Sequence, residues 1–144
     1  KQCRVRPIVV VDAAMNDLIR PALYEAWHDL KPVGREPREA DLQQVDVVGP
    51  VCETADTFAR ARALPPMAGG DLLAFFSAGA YGATMASAYN SRLTVPEVLV
   101  RGEAFAIVRP RPTFQDVLAG EQLPDWLPRP GAEGPTGRGD RRTS

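Results

Sequence analysis

Val45-Asp46-Val47-Val48-Gly49-Pro50-Val51-Cys52-Glu53-Thr54-Ala55-Asp56 joins an apolar run to a chemically loaded turn. Val45–Val51 reads as a strand, and the turn pair Gly49-Pro50 marks where its apolar part closes. A thiol and a carboxylate then stand side by side at the start of the loop, where a rigid scaffold commonly presents reactive groups. A thiol can deliver a proton, and an adjacent carboxylate can hold a cationic amine. Cys52 and Glu53 together therefore suit amino-acid chemistry. The same two residues also admit a plain structural reading, as a small buried hydrophobe and a solvated charge.

The segments around this turn read mainly as strands. Upstream, Pro7-Ile8-Val9-Val10-Val11 is β-branched and continuous, as expected of a strand buried on both faces and ended by Asp12. Asn16-Asp17 can cap a short helix over residues 17–27, with Leu18, Ala22, Leu23 and Ala26 at helical spacing and Pro21 in the first turn. An extended return through Leu30 follows. Gly34–Leu42 is a charged, Pro-containing surface connection. Downstream, Thr57–Ala63 and Asp71–Phe76 are further strands, separated by Pro65-Pro66 and Gly69-Gly70. Residues 77–82, Ser-Ala-Gly-Ala-Tyr-Gly, set one tyrosine among small residues that permit close approach. One or two helical turns fit residues 83–88. Glu97–Arg101 and Phe105–Arg109 flank a turn and read as a hairpin. Thr113 is an N-cap for Phe114–Ala119, with Asp116 favourable to the helix dipole.

The 144 residues, 44% hydrophobic and 24% charged, suffice for one globular domain with a real core. A formal net charge of −1 offers no basic field for nucleic acid or anionic lipid. No apolar run approaches the roughly 20 residues of a membrane span. Lys1-Gln2-Cys3-Arg4 leads directly into the first Val/Ile run, so no secretory leader is expected, and the missing initiator Met suggests a fragment. Cys3 and Cys52 lack any zinc or disulfide spacing, which fits a reducing cytoplasm. A single histidine, His28, cannot make a multi-histidine metal site. Residues 1–122 are the expected domain. Residues 123–144, rich in Pro, Gly and Arg, are an expected disordered tail. Five or six strands with short helical pieces predict a mainly antiparallel β domain, barrel- or sandwich-like, closed or partly closed to protect its edges.

Several segments carry a resemblance when taken in order: residues 10–24, Gly49-Pro50-Val51-Cys52-Glu53 with Asp56, Gly79-Ala80-Tyr81-Gly82, Tyr89-Asn90-Ser91-Arg92, residues 96–100 and residues 109–113. Together they resemble the C-terminal domain of the diaminopimelate decarboxylases, which belong to the pyridoxal-phosphate-dependent ornithine/diaminopimelate/arginine decarboxylases of alanine-racemase-like fold. The resemblance covers about residues 5–119. It implies a β domain that in the family follows a (β/α)8 barrel, and no such barrel lies in these residues. It implies decarboxylation of meso-2,6-diaminopimelate to L-lysine, pyridoxal 5'-phosphate as cofactor, and a homodimer whose active sites are shared between subunits.

The resemblance also implies roles, residue by residue. Arg20 and Tyr24 would bind the carboxylate that does not react. Glu53 would recognise the distal amine, and Cys52 would be the catalytic proton donor after CO2 leaves. Tyr81 would contact both cofactor phosphate and substrate. Two positions depart from the family pattern. Ala14 stands where a glycine is usual, which asks a left-handed or crowded position to accept a Cβ, and Ser77 stands where relatives often carry an acidic residue. The two lysines, Lys1 and Lys31, have no context resembling a Schiff-base lysine, and no Gly-rich phosphate loop is present. The barrel half is therefore needed, and the 144 residues alone are expected to be inactive. Two alternatives stand beside this reading. One is an ornithine- or arginine-type decarboxylase domain, whose substrates lack the second carboxylate and whose members commonly carry Asp in place of Glu53. The other is a non-catalytic dimerisation domain.

Overall fold

A computed structural model describes residues 6–34 and 41–127. Most of the predicted surface connection at 34–42, the tail from residue 128 onward and Cys3 lie outside these residues. Among the described residues, seven strands and two short α-helices follow in chain order: β1 (Ile8–Val10), α1 (Arg20–Tyr24), β2 (Leu30–Pro32), β3 (Gln43–Val48), β4 (Thr57–Leu64), β5 (Leu73–Phe75), β6 (Glu97–Arg101), β7 (Ala104–Arg109) and α2 (Phe114–Leu118). Single 3-10 turns occupy Ala83–Met85 and Tyr89–Ser91.

The mainly β reading holds, but the strands do not close. They form three separate sheets, ordered β1-β3-β4, β2-β5 and β6-β7. β1 lies parallel to β3, while the other pairings are antiparallel. The core sits where the first two sheets meet, around Leu18, Leu30, Val45, Val47, Phe58, Ala59 and Leu64. Val45 and Val47 are fully buried, as alternation along a half-covered strand requires. Phe58 and Phe75 join the two sheets, with ring centroids 4.7 Å apart and planes tilted by 59°, a favourable aromatic geometry.

β1 corrects the expectation of burial on both faces. Val9 and Val11 pack on the core, whereas Ile8 and Val10 are 62% and 65% exposed. Successive side chains of a strand point to opposite faces, and one face of this edge strand has no layer over it. The β6-β7 hairpin is likewise present as predicted, yet it contributes no buried residue. An Arg109–Glu97 ion pair of 2.8 Å, exposed on both sides, ties its open end.

A bulge in β4 explains one unusual backbone angle. Val45 pairs with Arg62 and Val47 with Ala59, so the register shifts across Asp46. Ala61 takes a left-handed φ of 50° there, as an extra bulge residue can. Asp46 stabilises the bulge by accepting the Ala61 N–H at 2.7 Å and the Arg6 Nε–H at 2.9 Å. The Arg6 guanidinium, and then the Ala61 N–H, hold its carboxyl below the usual carboxylate range.

The first helix is shorter than predicted. It begins at Arg20 with Pro21 in its first turn, and Ile19 at the N-cap makes no side-chain cap. Asn16 and Asp17 do not cap it because their side chains are committed to a loop network. Glu25, with φ 54°, stops the helix in the left-handed region. The second helix follows its predicted cap. The Thr113 N–H and Oγ1–H both donate to Asp116 Oδ2 at 2.7 Å, and the Asp116 N–H donates back to Thr113 Oγ1 at 3.2 Å. This is a capping box. The Thr113 N–H, then its hydroxyl, pull the Asp116 carboxyl below its ordinary range. A depressed folded pKa means the cap is fully present above the unfolded value and is lost as pH falls through the folded one. The Thr113 amide resonance should therefore titrate with a midpoint below the ordinary aspartate value. A midpoint at or above that value would reject the box.

Candidate functional site

The turn after β3 is built by its own backbone and one carboxylate. The Gly49 N–H donates to Asp56 O at 3.0 Å, the Glu53 N–H to Val51 O at 2.8 Å, and the Asp56 N–H to Glu53 O at 3.0 Å. Inside the turn lies the Asp56 side chain, 3% exposed. Its Oδ2 accepts the Val51 N–H at 2.8 Å, and its Oδ1 accepts the Met15 N–H at 2.7 Å. Gly49 is required by this arrangement, since a Cβ there would fall 2.3 Å from Asp56 Oδ2. Cys52 and Glu53 stand outside, both exposed, and Cys52 is a free thiol. Glu53 Oε1 accepts the nearby Ala55 N–H, at 3.3 Å.

The loop that meets this turn is equally well tied. Asp17 Oδ2 accepts the Ala14 N–H at 2.9 Å. Asn16, 2% exposed, donates to Ser87 O at 3.2 Å and accepts the Arg92 Nε–H at 3.0 Å. Arg92 also donates to Asp12 O at 2.5 Å and lies 3.9 Å from Asp17. Segments 12–17, 49–56 and 87–92 are thus one hydrogen-bonded unit. Every polar group of a buried Asn must find a partner; here one is the adjacent Asp17, at 3.1 Å, and the others come from more than 70 residues away in sequence. Ala14 is fully buried and has no positive φ. Its Cβ is accepted by crowding alone, and the left-handed alternative does not apply.

α1 leaves this loop directly. Arg20 opens the helix half-buried, and Tyr24, four residues on, shares its face at 61% exposure. Tyr81 is 68% exposed and has φ 57°, a left-handed angle at a non-glycine residue. Its neighbour Gly82 admits no side chain, because a Cβ would meet Ala78 O at 1.7 Å. The loop from Tyr81 runs on to Ser87, whose N–H donates to Asn16 O at 2.9 Å.

The five predicted site residues are therefore placed on three connected segments. Cys52 and Glu53 share one turn, Arg20 and Tyr24 share one helix, and Tyr81 sits on the loop leading to Ser87. Among the described residues no hydrogen bond joins any two of the five. Two cavities lie elsewhere. One, of about 430 Å³, lies between α1 and β4 and is lined by residues including Pro21, Trp27, Phe58 and Arg62. The other, of about 420 Å³, runs between residues 9–13 and 67–73. Arg62 is structural: its guanidinium lies 3.4 Å over the Trp27 ring and donates to His28 O at 2.8 Å, and burial lowers its pKa.

In the sequence, Asp56 and Arg92 stand within motifs without a role, and Asn16 is read as a helix cap. The available signal was their position three residues after Glu53, four before Arg20 and three after Tyr89. Their long-range partners supply the meaning.

The chain is similar to proteins of known family. Residues 1–79 match the family described as pyridoxal-dependent decarboxylase, C-terminal sheet domain. The diaminopimelate decarboxylase of Zymomonas mobilis is 50% identical over 127 residues, covering 88% of this chain and 30% of that protein. The crystal structure of diaminopimelate decarboxylase from M. jannaschi superimposes with a TM-score of 0.77 at 37% identity, over 87% of this chain and 28% of the other. The Helicobacter pylori diaminopimelate decarboxylase, solved in complex with L-lysine, gives 0.70 at 41% identity, over 78% and 27%. The chain spans about 30% of the length of the curated relatives it matches.

Proposed function

Because the chain belongs to the pyridoxal-dependent decarboxylases, as their C-terminal sheet domain, we propose that it is the C-terminal part of a diaminopimelate decarboxylase. The reaction is the decarboxylation of meso-2,6-diaminopimelate to L-lysine, in lysine biosynthesis. The observation that carries the reading is the Cys52-Glu53 turn: a free exposed thiol beside an exposed carboxylate, clamped through Asp56 to the loop that leads into Arg20. The domain is residues 1–122, and the rest is a tail.

Arg20 receives the non-reacting carboxylate of the substrate, because a guanidinium fork matches a carboxylate bidentately. Tyr24, on the same helix face, adds a hydroxyl donor. Glu53 holds the distal ammonium, which distinguishes the substrate's far end by charge. Cys52 Sγ delivers a proton to the carbon that has lost CO2. Tyr81 would contact the cofactor phosphate and the substrate.

The residues present fit the rim of a pyridoxal 5'-phosphate site and lack its anchor. Lys31 sits in β2 with its ammonium 5.3 Å from the Phe76 ring centre. When bound, pyridoxal phosphate supplies the electron sink for loss of CO2, and the protein orients groups around it. The anchoring lysine and most of the phosphate cradle belong to the barrel half that must complete the enzyme. The completed enzyme is a cytoplasmic homodimer with shared active sites. Among the described residues no helix is long and apolar enough to cross a membrane.

A domain exchange tests the reading. Put in place of the matching domain of the Zymomonas mobilis enzyme, the chain should restore growth without lysine to a strain lacking its own decarboxylase. A chimera that folds and binds pyridoxal phosphate, yet forms no lysine from meso-diaminopimelate, would overturn it.

A further inference from the structure

We propose that Asp56 is a positioning residue, whose buried carboxylate sets where Cys52 and Glu53 stand relative to the loop that leads into Arg20. The inference rests on the decarboxylase reading of Cys52 and Glu53.

Four groups of Asp56 are spent on the same task. Its N–H and C=O close the turn on Glu53 and Gly49, at 3.0 Å each. One carboxylate oxygen holds Val51, the residue before the thiol, at 2.8 Å. The other crosses 41 residues of sequence to hold the Met15 N–H at 2.7 Å. The carboxylate is thus the direct link between the turn that presents the thiol and the loop that presents the guanidinium. Gly49 leaves the space it fills. Cys52 and Glu53 are exposed, so packing does not set their positions. Among the described residues no hydrogen bond holds the Cys52 side chain. The turn's geometry is what fixes the thiol, and Asp56 fixes the turn.

An aspartate suits this better than its amide. Both oxygens accept from backbone N–H donors, and asparagine has one acceptor oxygen and one NH2 group. Asp56→Asn keeps the shape and sets a donor against a donor at Val51 or at Met15. A buried donor left without an acceptor breaks the arm it served. The thiol then loses its register with the substrate, and displacements near 1 Å can cost on the order of 100-fold in rate.

The experiment uses the full-length enzyme that carries this chain, with three readouts. The first is kcat for Asp56→Asn in the wild-type and Cys52→Ala backgrounds. A positioning role predicts a fall on the order of 100-fold in the first background and under about threefold in the second, because the two residues then act through one group. An equal fold-loss in both backgrounds would assign Asp56 to general structure and overturn the proposal. The second is amide hydrogen exchange. Met15 and residues 51–55 should lose protection in Asp56→Asn, while Val45 and Val47 keep theirs. Unchanged exchange in the turn would also overturn it. The third is Gly49→Ala, which displaces the carboxylate without altering its charge and should reproduce both signatures. Failure of both variants to fold would place Asp56 in stability alone and reject a positioning role. If the wild-type enzyme does not act on meso-diaminopimelate, the substrate reading falls while the clasp is still judged by exchange. If the wild type is active and Asp56→Asn keeps its kcat, the clasp falls while the substrate reading stands.

Discussion

Cys52→Ala should lower kcat of the full-length enzyme by about 10²- to 10⁴-fold, the range expected for loss of a positioned general acid. The Michaelis constant should change by less than about threefold, because the proton is needed after CO2 departs and the thiol is not required for ground-state binding. The structure makes this a clean test. The thiol is free and exposed, and the turn around it is held by Gly49, Val51, Glu53 and Asp56. Alanine removes the proton source without opening a cavity or orphaning a polar group. Steady-state kinetics on meso-diaminopimelate decides the matter, and an unaltered kcat would remove Cys52 from the donor role. Mixing this variant with one lacking the barrel lysine tests sharing between subunits. Recovered activity in the mixed dimer places the thiol and the lysine on different chains, and its absence places them on one.

What the sequence shows of this fold depends on how far each signal reaches. β3, β4, the β6-β7 hairpin and the Thr113 cap rest on patterns within a few residues, and all are present. β1 is present too, but its burial on both faces is not. A run of valines records strand preference and cannot report whether a second layer covers the sheet. The predicted cap at Asn16-Asp17 fails for a related reason. Those side chains could serve α1 or serve Ala14, Ser87 and Arg92, and of these partners Ser87 and Arg92 are more than 70 residues away from Asn16. Closure of the sheets is a property of the assembled chain, and three separate sheets are what these residues form. At the site, Cys52 and Glu53 were legible because they are adjacent in sequence and the motif around them is dense. Asp56 was legible as a letter in that motif, while its contact with Met15 required the fold.

Arg20→Ala should raise the Michaelis constant for meso-diaminopimelate by about 10- to 100-fold, the equivalent of one charge-assisted hydrogen-bonded contact at roughly 1.5–3 kcal/mol. Turnover at saturation should fall much less. The substitution is mild for the fold: Arg20 opens α1, its carbonyl still accepts the Ala26 N–H at 3.3 Å, and alanine is the strongest helix former. The sharper readout is discrimination. A diamine substrate with one carboxylate gains nothing from Arg20, so its kcat/KM should hold steady while that for meso-diaminopimelate drops. The ratio of the two should then shrink by the same 10- to 100-fold. Arg20→Lys should recover only part of it, because an ammonium supplies a point charge where a guanidinium supplies a planar fork. Preserved discrimination in Arg20→Ala would show that the second carboxylate is held elsewhere. Tyr24 would then be the next residue to test, since it sits on the same helix face with its side chain exposed, and full recovery by lysine would argue that charge alone, without bidentate geometry, selects the substrate.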